Sequence, residues 1–179
     1  MGSSLAFCME MSVNIKRRPR PGGYPAMSRL TDHAAADAIA AHHVELSGDI
    51  GRRVDALVAT VRADEPYEDA KREVLDYLDR ELLPHAAAEE RALYPAGEQI
   101  PATAALVRAM LDEHRRIVAT VDRLRVTTDA VGAATSASAV LALFESHLAK
   151  ENDFLVPALV ADPEVELGVL LEGMHALVG

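Results

Sequence analysis

The chain is poor in most of what would make it a secreted, fibrous, membrane-spanning or nucleic-acid-binding protein. Of its 179 residues one, Cys8, is a cysteine, so no intrachain disulfide is available and the expected compartment is a reducing one. Aromatic residues contribute only 4%, which leaves Ala, Leu and Val to build the core. Nine prolines and ten glycines are too few for a collagen-like or low-complexity chain. No apolar run approaches the roughly 18 residues of a membrane span, and the opening residues lack the basic stretch and apolar block of a secretory leader. These absences give the expectation of a cytoplasmic protein with no membrane partner. Basic charge is also scarce. Beyond residue 29 the chain carries 13 basic and 27 acidic side chains, a formal charge of −14, which repels phosphate backbones and argues against nucleic acid as a partner.

Lys16, Arg17, Arg18 and Arg20 concentrate in residues 1–28, whose Pro- and Gly-containing composition reads as a flexible basic tail to which no function is assigned. Met11 and Met27 are each read as candidates for the start of the natural chain. From Leu30 onward apolar residues recur at intervals of three and four, the period of an amphipathic helix. Helices are expected over about residues 31–62, 66–93, 101–128 and 135–156. Thr31 or Asp32 caps the first, Tyr94-Pro95-Ala96-Gly97 stops the second and Pro157 ends the fourth. Pro84 should bend the second helix, because it lacks an N–H and its ring crowds the Arg80 carbonyl. Asp162-Pro163-Glu164 reads as the start of a shorter fifth helix running to about Val178. Short connections between long helices predict an all-α fold, an up-down-up-down four-helix bundle over residues 29–157 with a short C-terminal fifth helix over 158–179 packed on it.

The helices also repeat in pairs. His85-Ala-Ala-Ala-Glu89 and His147-Leu-Ala-Lys-Glu151 share the form His-x3-Glu, and each histidine lies ten residues before a proline, Pro95 and Pro157. The preceding helices match as well: His43-x2-Leu46-x3-Ile50 has the same form as His114-x2-Ile117-x3-Val121. A four-residue spacing puts each His and Glu one turn apart on one helix face. With His43 and His114, the bundle interior would receive four imidazoles and two carboxylates. Carboxylates can bridge two cations and offset their mutual repulsion, while neutral imidazoles supply terminal nitrogen ligands. With no thiolate nearby, this N and O donor set favours iron or manganese over a structural zinc site. His42 lies about 100° around the helix from His43, so only one of them faces the centre, and the match to His114 selects His43. Glu90 stands in the same relation to Glu89 and is not assigned. Glu81 and Tyr77, one and two turns before His85, stay open as additions to the metal shell. One Glu-x2-His pair, Glu172 to His175, falls short of the two that a ferritin-like di-iron site needs. No HExxH motif or Gly-rich phosphate loop is present.

Over about residues 31–157 the sequence resembles the hemerythrin-like, or HHE cation-binding, domains, on the strength of His43, His85-x3-Glu89, His114 and His147-x3-Glu151. The resemblance implies a non-haem centre of two iron ions, oxo- or hydroxo-bridged, with manganese less favoured. In it Glu89 and Glu151 bridge, and His43, His85, His114 and His147 are terminal ligands. It further implies chemistry with dioxygen, hydrogen peroxide or nitric oxide. The oxygen carriers of the family have a His-x3-His pair on the third helix and a His-x4-Asp on the fourth. Here Val118 stands four residues after His114, and the acid is Glu151. One nitrogen ligand is therefore missing, and a more open centre favours turnover over reversible storage. The expectation is a di-iron oxidoreductase acting as a catalase-like peroxide disproportionase or in nitric oxide detoxification. A binding or sensing module for dioxygen, nitric oxide or iron is the alternative, and a purely structural pairing of the His and Glu side chains is a third.

Overall fold

The computed structural model describes residues 31–178, so the basic tail expected over residues 1–28 lies outside the described residues. Helix α1 (Asp32–Arg62) begins where the Thr31 hydroxyl accepts the Ala34 N–H at 3.2 Å, satisfying one of the helix's orphan donors. Just past its C-cap, Ala63, the chain turns at Asp64, whose φ of 57° lies in the left-handed region that Asp tolerates better than most residues. The buried stripe of α1 reads Ala35, Ile39, His43, Leu46, Ile50, Val54, Leu57, spacings of four and three with one imidazole in an otherwise apolar face.

Helix α2 runs over 68–92, and its π-helical turn Leu78–Leu82 takes up Pro84. The Leu83 N–H reaches back five residues to the Leu78 carbonyl, so the wide turn absorbs the proline instead of ending the helix. After a break at Leu93, a short helix, Tyr94–Gln99, carries the Tyr94-Pro95-Ala96-Gly97 segment that had read as a stop. Gly97 is needed here. A Cβ on it would lie 2.6 Å from Leu155 Cδ1 and 3.0 Å from Val107 Cγ2, so the short helix could not approach the next two helices as closely.

Helix α3 (Ala104–Val126) starts three residues after Pro101, later than its sequence pattern suggested. Helix α4 spans 130–161 and begins five residues before Thr135, because the Asp129 carboxylate caps the Gly132 N–H at 2.7 Å. Nor does Pro157 end α4: a second π turn, Glu151–Leu155, lets the Val156 N–H reach Glu151, and the helix continues to Ala161. Asp162 closes a turn by accepting the Glu164 N–H at 2.8 Å, and helix α5 (Leu167–Val178) starts beyond it.

The fold is an all-α up-down-up-down bundle with a short C-terminal helix. Helix α1 packs on α2, α4 and α5, α3 packs on α4 and α2, and α5 lies across the second half of α2. Two apolar clusters fill it. One, including Ile39, Leu93, Met110, Leu155, Leu159 and Leu171, occupies the end covered by α5. The other, including Leu46, Leu78, Leu82, Ile117, Val140 and Phe144, fills the opposite end. Each fully buried Leu, Ile or Phe contributes about 1.5–3 kcal/mol. At the boundary between these clusters each long helix carries its buried histidine, with a buried glutamate one turn further on in α2 and α4.

Candidate metal centre

His43 enters from α1, His85 and Glu89 from α2, His114 from α3, and His147 and Glu151 from α4, all of them buried. They meet as two groups that share one carboxylate. His43, His85, Glu89 and Glu151 offer ligand atoms mutually within 4.8 Å, and so do Glu89, His114 and His147. In the first group His85 Nε2 lies 2.7 Å from Glu89 Oε1, and His43 Nε2 lies 3.4 Å from Glu89 Oε1 and 3.6 Å from Glu151 Oε2. In the second, His114 Nε2 lies 3.6 Å from Glu89 Oε2 and 3.0 Å from His147 Nε2. Glu151 belongs to the first group, and its other oxygen lies 3.8 Å from His147 Nε2.

The described structure leaves six buried side-chain polar atoms without a hydrogen-bond partner: His43 Nε2, His85 Nε2 and both oxygens of Glu89 and of Glu151. All six belong to this cluster. A buried donor or acceptor left unmet costs about 1–3 kcal/mol, and more when charged. Lone pairs that all converge on one interior space are what a cation would satisfy, so the residues present fit a metal site.

The electrostatics agree. Burial works to raise Glu89, but the facing His85 and the close approach of the His43 imidazole hold its carboxyl well below the usual range. Burial and the adjacent Glu89 push Glu151 well above it, because two buried carboxylates this close do not both ionise without a cation between them. Burial and His114 push His147 down to about 4, which keeps the imidazole neutral, the form that binds metal.

An outer ring of side chains holds the imidazoles. His43 Nδ1 lies 2.8 Å from Asn152 Oδ1, His114 Nδ1 lies 2.8 Å from Glu90 Oε1, and His147 Nδ1 lies 3.1 Å from Glu113 Oε2. Lys150 donates to Glu113 at 2.6 Å, and with His147 it holds the Glu113 carboxyl below the usual range against the effect of burial. Each of these acceptors fixes a proton on Nδ1 and so turns the Nε2 lone pair inward. The His85 ring is instead met edge-on by the exposed His42, centroids 5.1 Å apart. Between His114 and His147 stands the phenol of Tyr94, 3.2 and 2.9 Å from their Nε2 atoms and only 2% exposed.

Of the two adjacent histidines of α1, the structure buries His43 and leaves His42 at the rim. Tyr77 donates its hydroxyl to the Leu46 carbonyl at 3.3 Å, and Glu81 is exposed, so neither reaches the cluster. Sequence reasoning passed over Tyr94, Glu113 and Asn152 and set Glu90 aside. A signal for most of them was present. The repeat that aligns Glu89 with Glu151 also aligns Glu90 with Asn152, and the one that aligns His114 with His43 also aligns Glu113 with His42. The four outer residues are thus repeat-related in pairs. Tyr94 aligns with Val156, and there the repeat breaks.

Residues 34–159 match the model of the hemerythrin family, described as a hemerythrin HHE cation binding domain. No curated protein and no solved structure matches the chain.

Proposed function

The chain belongs to the hemerythrin HHE cation-binding family, and from that premise we propose that it holds two iron ions, in preference to manganese, and disproportionates hydrogen peroxide. In this reading His43, His85, Glu89, His114, His147 and Glu151 are the ligands, with Glu89 shared between the ions. The observation that carries it is the convergence of six unmet buried atoms on one interior space. Bound iron would supply two-electron exchange and Lewis acidity.

The rest of the task falls to the protein. Glu90, Glu113 and Asn152 hold protons at the outer nitrogens of their imidazoles, fixing tautomer and ring direction. The apolar clusters on either side keep bulk water from the layer. A surface groove of about 430 Å³, lined in part by His43, Ser47, Gly48, Glu145 and Asn152, borders the cluster at His43 and has room for peroxide, dioxygen or nitric oxide. Disproportionation converts two hydrogen peroxide molecules into dioxygen and two waters, so its electrons balance without an outside donor. Nitric oxide reduction would need a reductant as well, which makes peroxide the favoured substrate and nitric oxide the second.

The test is to strip the full chain of metal, reconstitute it anaerobically with ferrous iron, count iron per chain and follow oxygen release on adding peroxide. Two irons and sustained release, both lost in His85→Ala and Glu151→Ala, are expected. Two irons with a single stoichiometric reaction would replace the enzyme with a carrier or sensor of dioxygen, nitric oxide or iron. A chain that takes up no metal would overturn the assignment.

A further inference from the structure

Tyr94 Oη, His114 Nε2 and His147 Nε2 form a triangle with sides of 3.2, 2.9 and 3.0 Å. Hydrogen bonding alone does not account for it. Glu90 and Glu113 each hold the proton of their histidine on Nδ1, so both Nε2 atoms present lone pairs, and those lone pairs face one another across 3.0 Å. The phenol has one proton to give, which satisfies one of the two and leaves the other unmet in a site where His147 is 0% and His114 4% exposed. A cation seated over one face of the triangle satisfies all three atoms together. Ligand atoms about 2.1 Å from an octahedral ion stand about 3.0 Å from their neighbours at right angles, which is the size of the triangle found.

We propose that Tyr94 is a further metal ligand, binding through its phenolate oxygen the ion held by His114 and His147. This rests on the reading of the cluster as a two-ion centre. On binding, the phenol O–H breaks, an oxygen–metal bond forms and the proton leaves to solvent. The ring is already placed for it, stacked on His114 with centroids 5.3 Å apart and 24° between planes. The consequence is an asymmetric centre. The repeat puts Val156 where a second phenol would stand, so only one of the two ions receives an oxygen anion of this kind. With Tyr94 that ion has four protein ligands, Glu89, His114, His147 and the phenolate, as many as His43, His85, Glu89 and Glu151 offer the other, so the two ions differ in the kind of ligand and not in their number.

The test is optical and vibrational. The full chain loaded with two ferric ions should show a visible phenolate-to-iron charge-transfer band, and excitation in that band should enhance tyrosine ring modes that shift when the protein carries ring-deuterated tyrosine. Tyr94→Phe should lose the band and the ring modes entirely while keeping both irons, and Tyr77→Phe should keep everything. If Tyr94→Phe does not fold, the isotope shift in the unaltered chain decides alone. A wild-type chain holding two irons with no tyrosine ring modes overturns this proposal and leaves the two-ion centre standing, whereas a chain that holds no iron overturns both.

Discussion

The two halves of the centre share a frame and differ in what surrounds it. Around His114 and His147 stand two carboxylates, Glu90 and Glu113, the second anchored by Lys150, and the phenol of Tyr94. Around His43 and His85 the repeat-related residues are Asn152, His42 and Val156, none of them anionic. Behind the imidazoles of one half stands negative or ionisable oxygen, and behind those of the other stand uncharged groups, with Glu145 on the wall of the groove beside them. Carboxylates behind ligand histidines raise their basicity and fix their orientation. The same pattern of His and Glu side chains, copied by repetition, is therefore backed by carboxylates on one side and by uncharged groups on the other.

Glu89 is the residue common to both halves, so changing it should have the largest effect and erase the comparison altogether. Glu89→Gln is expected to lower bound iron from two per chain to less than one, read by metal analysis after gel filtration. The metal-free variant should also be less stable than the metal-free parent near neutral pH, because the folded site favours the ionised Glu89 carboxylate beside His85 and an amide cannot replace that charge. Glu151→Gln, which touches mainly the His43 and His85 side, should spare the other ion. A Glu89→Gln protein that keeps both ions would show that the halves are bridged by something else.

Acid stability offers a second way to sharpen the contrast, through two opposing protonations. His147 has a folded value of about 4 against 6.5 unfolded, so the unfolded chain binds more protons between these values, and stability falls as pH falls through that window, by about 3 kcal/mol in all. Glu151 has a folded value raised well above 4.5, so the folded chain binds the extra proton, and stability falls as pH rises from 4.5 towards that folded value. In the metal-free parent the two slopes oppose each other above pH 4.5, and burial of His42, which lowers its value from 6.5, adds to the His147 slope. Metal-free Glu151→Gln should lose the opposing term, so its melting temperature should drop more steeply than the parent's as pH falls from 6.5 to 4.5. Equal profiles for parent and variant would remove Glu151 as the proton-holding carboxylate.

The parts of this molecule legible in its sequence were those written in regular helical spacing. Thr31 as a cap, the apolar stripes and the six converging side chains all follow from intervals of three and four that an α-helix converts directly into one face. What could not be read departs from that spacing. Pro157 looked like an end because a proline in an α-helix costs a hydrogen bond, and nothing in the local pattern announces a π turn that absorbs it. Tyr94 sat inside a Tyr-Pro-Ala-Gly string that reads as a stop signal, although the string folds as a short helix whose first residue points back into the layer. Glu90, Asn152 and Glu113 were rejected or overlooked because each lies about 100° from a ligand on its own helix. From that position they serve an imidazole on a neighbouring helix, a relation between helices that spacing along one of them does not reveal.

The smallest effects should come from that outer ring, and they test whether the halves differ in strength as well as in lining. Glu113→Gln keeps the shape of the side chain but removes the charge shared between His147 Nδ1 and Lys150 Nζ. It should weaken the ion on the His114 and His147 side by about 10–100-fold, the usual cost of losing such a partner. Asn152→Ala removes a neutral acceptor from a half-solvated edge and should weaken the other ion by less than about 10-fold. His42→Ala should change affinity little, since His42 is exposed and meets the His85 ring only edge-on. Competition with chelators of graded strength reads the two ions separately if they leave at different strengths. The first to leave should be the ion of His43 and His85, and Glu113→Gln should bring the two departures together. Unequal departures that Glu113→Gln leaves untouched would mean that the carboxylate ring is ornament and that burial alone separates the halves.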